Sequence, residues 1–243
     1  MTSSAKPDFG RLAPLYDALR PADANWWELF ELLVREGDLR GRRVLDVGAG
    51  TGRLAAALAE QAAAKVWAAD PSAEMLGQAR RRVPAGVGLK QASAEALPFR
   101  DRWFERTVTR LSVHLWDRPR GFAEVRRVAD AWVIATFEPG HFHRFYLNRF
   151  FPSIERVDLA RFPDGPTLER ELREAGFEDV RLIPFSQRAE ISRDTALAKI
   201  EGRHISTFDL LDEDELREGT ERARRELPER VEYGLEWLVA VAR

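Results

Sequence analysis

The stretch VLDVGAGTG, Val44–Gly52, places three glycines in five positions directly behind an apolar run. Bare backbone at that density fits a tight strand-to-helix bend where a ligand can touch the main chain and a helix N-terminus can face a negative group. The dinucleotide fingerprint G-x-G-x-x-G needs a third glycine at the position held by Arg53, so it fails here. A phosphate-binding P-loop fails as well, because no Gly-Lys-Ser/Thr follows. One βα unit downstream, VWAAD puts Asp70 at the carboxyl end of the next strand, where a carboxylate can accept both hydroxyls of a ribose. The spacing therefore suits an adenosine lying across the strand ends.

Around this bend, short apolar runs alternate with helical patterns. RRVLDV, KVWAAD, VGLKQA, FERTVTR and WVIATF read as strands, while Arg53–Gln61, Ala73–Arg82 and Arg118–Val128 read as helices. That rhythm predicts βαβ units and a mainly parallel sheet. Upstream, NWWELFELLVREG is an amphipathic helix closed by Gly37. Downstream, the aromatic-rich HFHRFYLNRFFP leads to a helix in TLERELREAGF and a strand in VRLIPF. LDEDELREGTERARREL is a charged helix, acidic first and basic last, and YGLEWLVAVAR is a final strand. The 243 residues, 44% of them hydrophobic, suffice for one domain carrying a smaller lid. With 38 basic against 40 acidic residues the net charge is −2, which gives no global field toward nucleic acid or an anionic bilayer. The absence of cysteine excludes disulfides, thiolate metal sites and cysteine nucleophiles. The N-terminal TSSAKPDFGRL lacks the apolar core of a signal peptide, and no uninterrupted apolar run reaches about 18 residues, so a soluble cytoplasmic protein is expected.

In combination and order, VLDVGAGTG, ADPSAEML and ASAEALPF make the chain resemble the class I S-adenosylmethionine-dependent methyltransferases, in the branch of the ubiquinone and menaquinone biosynthesis enzymes and related small-molecule enzymes. The resemblance covers roughly Phe9 to Phe137, then loosely the last strands. It implies a Rossmann-like three-layer α/β/α sandwich with a seven-stranded, mostly parallel sheet, its last strand antiparallel, and helical lid insertions. It also implies S-adenosylmethionine as methyl donor and S-adenosylhomocysteine as product. Asp46 would lie near the ligand's amino group, with Gly48, Ala49, Gly50 and Gly52 under its methionine moiety. Asp70 would take the ribose hydroxyls, and Pro71 with Met75 would flank the adenine. Ser93 stands where the family often has an Asp, followed by Ala94 and Glu95. The Arg110–Leu111 stretch would present a backbone carbonyl to the ligand's amine, and Tyr16 and Arg20 would help cover it.

Methyl transfer asks mainly for alignment and desolvation, with a base only if the acceptor must lose a proton early. His114, His141, His143, Tyr146 and Glu138 are candidates for that base, and FEPGHFHRFYLNRFF would form an amphipathic acceptor pocket, unless its rings simply pack a lid. Trp26 and Trp27 in the first amphipathic helix either cover the cofactor or are ordinary aromatic burial on one helical face. The His141-x-His143 pair has no identifiable third ligand, so no metal is expected. Taken together, a single domain is expected: N-terminal cap helices over 1–40, a cofactor core over 41–137, a substrate-side insertion over 138–166, and C-terminal strands over 167–243 with a helical lid at 188–230. The expected acceptor is small and partly hydrophobic, with no nucleic acid partner, no membrane insertion and a monomeric or homodimeric state. A non-catalytic S-adenosylmethionine or S-adenosylhomocysteine sensor, or an RNA or protein methyltransferase, remain the rival readings.

Overall fold

A computed structural model describes residues 7–243, so residues 1–6 of the expected N-terminal cap lie outside it. In chain order it contains α1 (Phe9–Leu12), α2 (Tyr16–Leu19), α3 (Ala24–Glu36), β1 (Arg43–Val47), α4 (Arg53–Gln61), β2 (Lys65–Asp70), α5 (Ala73–Arg82), β3 (Gly88–Gln91) and β4 (Phe104–Arg110). There follow α6 (Arg118–Val128), β5 (Ala129–Phe137), α7 (Gly140–His143), α8 (Ser153–Arg161), α9 (Gly165–Glu174), β6 (Val180–Ser192), α10 (Arg193–Glu201), α11 (Glu213–Glu226) and β7 (Arg230–Ala242). Local chemistry starts these helices where they start. Asp23, Ser72, Asp117 and Asp212 each accept a backbone N–H at a helix N-terminus, and α11 runs from Glu213–Glu215 to Arg224–Arg225 along its dipole.

Within the described residues the sheet has seven strands in the order β3-β2-β1-β4-β5-β7-β6, with β7 antiparallel to both its neighbours and the other pairs parallel. The expected three-layer architecture is present. One face packs on α3 and α4 through Val44, Val66, Val108, Val133 and Val239; the other packs on α6 and α9 through Leu45, Phe104, Trp132, Ile134 and Leu238. Successive side chains at the centres of β1 and β5 go to opposite faces, Val44 against Leu45 and Val133 against Trp132 and Ile134. The chain winds from β1 outward to β3, then crosses to β4, leaving a crevice at the carboxyl ends of β1 and β4 where the winding direction changes.

The lid differs in extent from the sequence expectation. β6 does not stop at Phe185 but continues to Ser192, paired residue for residue with β7 from Arg230 onward. β5 pairs with β7 only as far as Phe137 opposite Trp237, so the lower half of the β6–β7 ladder stands free of the main sheet as a two-stranded arm. The lid on this arm therefore begins at Arg193, five residues after the expected boundary of 188. Polar residues such as Arg188 and Glu190 disguise the strand, because one side of a free arm faces water.

Two separate stretches build one lid. Phe150, Phe151 and Ile154 from the insertion after β5 pack with Ala196, Ile200, Phe208, Leu216 and Ala223 from the segment between β6 and β7, a cluster distinct from the two sheet cores. Gly219 admits the Phe151 ring, since a Cβ there would sit 2.3 Å from a ring carbon. Among the described residues no helix is long and apolar enough to cross a membrane.

Because this lid has its own core, Phe151→Ala is expected to remove about 3–5 kcal/mol of local packing. Hydrogen exchange should accelerate in α8, α10 and α11 while β1 and β4 stay protected. Equal acceleration in the central strands would show that the lid and sheet unfold as one unit.

Candidate active site

β1 delivers the chain to the crevice, and the residues after Val47 turn it sharply. Gly48, Gly50 and Gly52 have φ of 74°, 55° and 73°, a region side chains rarely adopt. Gly48 also seats against the loop after β4, since a Cβ would lie 2.3 Å from the Ser112 hydroxyl oxygen. A Cβ on Gly50 would meet nothing within 4 Å, so its backbone faces open space. Asp70 braces this turn: one carboxylate oxygen accepts the Gly50 N–H at 2.8 Å and the other accepts the Ser72 N–H at 2.9 Å. Burial raises its pKa, and the two backbone bonds oppose that rise.

The bend forms one end of a cavity of about 240 Å³. Asp46, at 1% exposure, faces it with one carboxylate oxygen that has no partner. Burial, then the nearby Asp70 charge, pushes the Asp46 carboxyl up to about 8, against the pull of the Ala55 N–H and Arg110. α2 closes this end. Asp17 accepts bonds from the Thr51 hydroxyl at 2.9 Å and from Arg53 at 2.6 Å, while Arg20 donates to the Tyr16 hydroxyl at 3.0 Å and to the His204 carbonyl at 2.9 Å. The same short helix thus ties the glycine turn to the lid.

The opposite wall is aromatic. Phe137, His141, Phe142, Phe145, Tyr146, Phe162 and Trp237 line it. His114 stacks on Phe162 with ring centroids 3.9 Å apart, and His141 stacks on Phe137 at 4.2 Å. Burial, reinforced by Arg161 and Arg20, lowers His114 well below the usual histidine range, and burial lowers His141 to about 4. Both imidazoles are therefore neutral at pH 7. His114 Nδ1 and the Tyr146 hydroxyl are buried without partners, and burial raises the Tyr146 phenol. At the cavity rim Leu111 takes φ of 53°, strained for a branched side chain, which fixes the direction of the chain after β4.

The sequence candidates divide between two regions. Tyr16, Arg20, Asp46, Gly48, Ala49, Gly50, Arg110, Leu111, His114, His141 and Tyr146 line the cavity. Gly52, Asp70, Pro71, Met75, Ser93, Ala94 and Glu95 gather instead around the ends of β2 and β3, beside the cavity. There Glu95 accepts the Asp117 N–H at 2.9 Å, and Met75 is buried under the start of α5. His143 is exposed and paired with Glu155 at 2.9 Å, away from its neighbour His141, and Glu138 is likewise outside the cavity lining. Trp26 lines the cavity, whereas Trp27 is 41% exposed. Sequence reasoning missed Asp17, Arg161, Phe162, Lys199 and Trp237 as cavity residues. Trp237 left a signal in the alternating YGLEWLVAVA run, and Asp17 is brought in by α2 beside Tyr16, while Arg161, Phe162 and Lys199 arrive by long-range folding of the lid.

The geometry joins open backbone and an orphaned carboxylate at one end to stacked rings at the other. Comparisons with known proteins find methyltransferases. The family described as "Methyltransferase domain" matches residues 44–131. The chain is 28% identical over 219 residues to a demethylmenaquinone methyltransferase from Chlorobaculum tepidum, covering 78% of this chain and 90% of that one. It is 31% identical over 169 residues to 2-methyl-6-phytyl-1,4-hydroquinone methyltransferase 1 of Oryza sativa, covering 68% of this chain and 46% of that protein. A crystal structure from Anabaena variabilis, assigned as a methyltransferase of an antibiotic biosynthesis pathway, superposes with a TM-score of 0.70 at 23% identity, over 88% of this chain and 96% of the other. At that identity the likeness is one of fold.

The two glycines are expected to separate stability from ligand access. Gly48→Ala should cost on the order of 1–3 kcal/mol in urea unfolding, from backbone strain plus the Ser112 contact. Gly50→Ala should cost about 1 kcal/mol, from backbone strain alone, yet weaken ligand binding more than Gly48→Ala does per unit of stability lost. Equal stability losses in the two variants would contradict this assignment.

Proposed function

Because this chain belongs to the class I S-adenosylmethionine-dependent methyltransferases, we propose that it methylates a small, partly hydrophobic acceptor of the hydroquinone type, by in-line displacement. The observation that carries this reading is the pairing, in one cavity, of the orphaned Asp46 carboxyl beside open Gly50 backbone with a wall of aromatic rings. The residues present fit the donor. Asp46 would meet its ammonium, the Gly48–Gly50 backbone would lie along its methionine portion, and the Asp70, Met75 and Ser93 neighbourhood at the ends of β2 and β3 would receive the nucleoside. S-adenosylmethionine, when bound, supplies a methyl group already activated on a sulfonium.

The chain's own residues then have three tasks. The lid and α2 exclude water. The Phe137–Phe162–Trp237 wall holds a flat acceptor at a fixed height over the crevice. His114 and His141 are neutral at pH 7, and since burial disfavours their charged forms, either would take an acceptor's proton only as a developing phenolate offsets that charge; His114 Nδ1 is without a partner. The two relatives named for quinone and hydroquinone substrates support an acceptor of that class.

S-adenosylmethionine and S-adenosylhomocysteine are expected to raise the melting temperature, and NAD(H) and ATP to leave it unchanged. Protection by NAD(H) equal to that by the methyl donor would overturn the reading. Turnover to S-adenosylhomocysteine with a reduced quinone acceptor tests the second half.

A pH profile tests Asp46 directly. Its folded pKa of about 8 lies above the usual carboxyl value, so the stability it leaves intact in acid is lost as pH rises toward 8. Meeting an ammonium requires the carboxyl to release its proton. Calorimetric affinity for S-adenosylhomocysteine should therefore climb with pH, approaching about tenfold per unit, and level off above the folded pKa. Asp46→Asn should flatten that profile, weaken binding, and stabilise the ligand-free protein at pH 8. A steep profile surviving in Asp46→Asn would remove Asp46 from the role.

A further inference from the structure

Among the described residues five cationic side chains line the cavity: Arg20, Arg53, Arg110, Arg161 and Lys199. Three of them are engaged. Arg53 pairs with Asp17 at 2.6 Å, Arg161 with Asp158 at 2.6 Å, and Arg20 donates to the His204 carbonyl. Lys199 has no ion pair or hydrogen bond among the described residues but is only half-buried, and Arg110 differs from it in holding a fully enclosed nitrogen. Its Nε is buried with no partner, and no described residue forms an ion pair or hydrogen bond with its guanidinium. A buried cation left unpaired is costly, and proteins retain one where a ligand completes it. Burial, only partly opposed by Tyr16, lowers the guanidinium to about 10, so the charge persists at pH 7.

Its direction says which part of the cavity it serves. Arg110 ends β4 opposite Ala135 of β5, while Trp237 of β7 stands opposite Phe137, the next inward-facing residue of β5. The guanidinium carbon lies 5.3 Å from the Trp237 ring centroid. The side chain therefore lies against the aromatic wall, while its charge still acts on Asp46 and is felt beside Tyr16, Arg20 and Arg53 at the glycine-turn end. The unpartnered guanidinium thus meets the rings directly and reaches the Asp46 carboxyl through its field.

We propose that the Arg110 side chain is a specificity-determining residue that receives a carboxylate carried by an aromatic methyl acceptor, whose ring lies on the Phe137 and Trp237 wall. A planar guanidinium fork matches a carboxylate with two parallel hydrogen bonds, and stacking on Trp237 fixes its plane. This inference rests on the methyl-transfer reading above. The methyl donor has a carboxylate of its own, so the test must separate the two sources.

Binding of 2-naphthoate and of its uncharged analogue 2-naphthamide is measured by calorimetry on the full-length protein saturated with S-adenosylhomocysteine. The wild type is expected to prefer naphthoate at least about tenfold, the gain of one charge-assisted hydrogen bond. Arg110→Met should abolish that preference, measured with enough S-adenosylhomocysteine to keep the variant saturated as well. If Arg110→Met fails to fold by circular dichroism, Arg110→Gln, which keeps polarity without charge, gives the same comparison. Equal binding of both probes, binding of neither, or a preference surviving in the variant overturns the inference. Absence of the preference in the saturated wild type is also the result expected if the guanidinium is already occupied by the donor's carboxylate. Failure of the wild type to bind S-adenosylhomocysteine would instead overturn the methyl-transfer reading itself.

Discussion

The bond from the Gly50 N–H to the Asp70 carboxylate, 2.8 Å long, holds together what the rest of the site requires. It joins the end of β2 to the turn after β1, so the turn stays open with its glycines in the left-handed region and its backbone directed outward. A carboxylate that also accepts the Ser72 N–H serves two elements at once, the glycine turn and the start of α5. Ser112, seated against Gly48, extends the same brace to β4 and so spans the switch point of the sheet. Position, rather than any reactive side chain, is what this framework supplies.

Onto it the chain adds a chamber. α2 links the turn to the lid through Asp17 and Arg20, and two insertions distant in sequence share one hydrophobic cluster above the strand ends. The free arm of β6 and β7 carries that cluster outward, which sets the distance between the lid and the sheet. Inside, the protein tolerates an orphaned carboxylate and an unpaired guanidinium, both of which disfavour the empty folded state. Such costs are characteristic of sites whose electrostatics are completed by a ligand, and they concentrate at the crevice rather than across the surface, where most charges are paired and solvated.

The helices Arg53–Gln61, Ala73–Arg82 and Arg118–Val128 and the strands Lys65–Asp70 and Phe104–Arg110 were legible residue by residue, because amphipathic period and caps are local. So was the glycine turn. The lid was less so: the strand beyond Phe185 is held by its ladder with β7, and its polar outer residues mimic a loop. α8 has almost no amphipathic pattern, since Ile154 and Asp158 bury among residues from three other segments. Candidate site residues were found where a motif named them, as with Asp46 and Gly50, and missed where only folding assembled them, as with Arg161 and Lys199.

By itself, then, the sequence determined an α/β sheet wound outward from β1 and a side-chain-free bend with an acidic residue on each of the first two strands. Those depend on spacing along the chain, which steric and periodic rules read directly. Tertiary structure alone decided which histidines enter the cavity, which charges stay unpaired there, and how two insertions close over it. These depend on contacts between residues tens to well over a hundred positions apart, for which the chain carries no local signal.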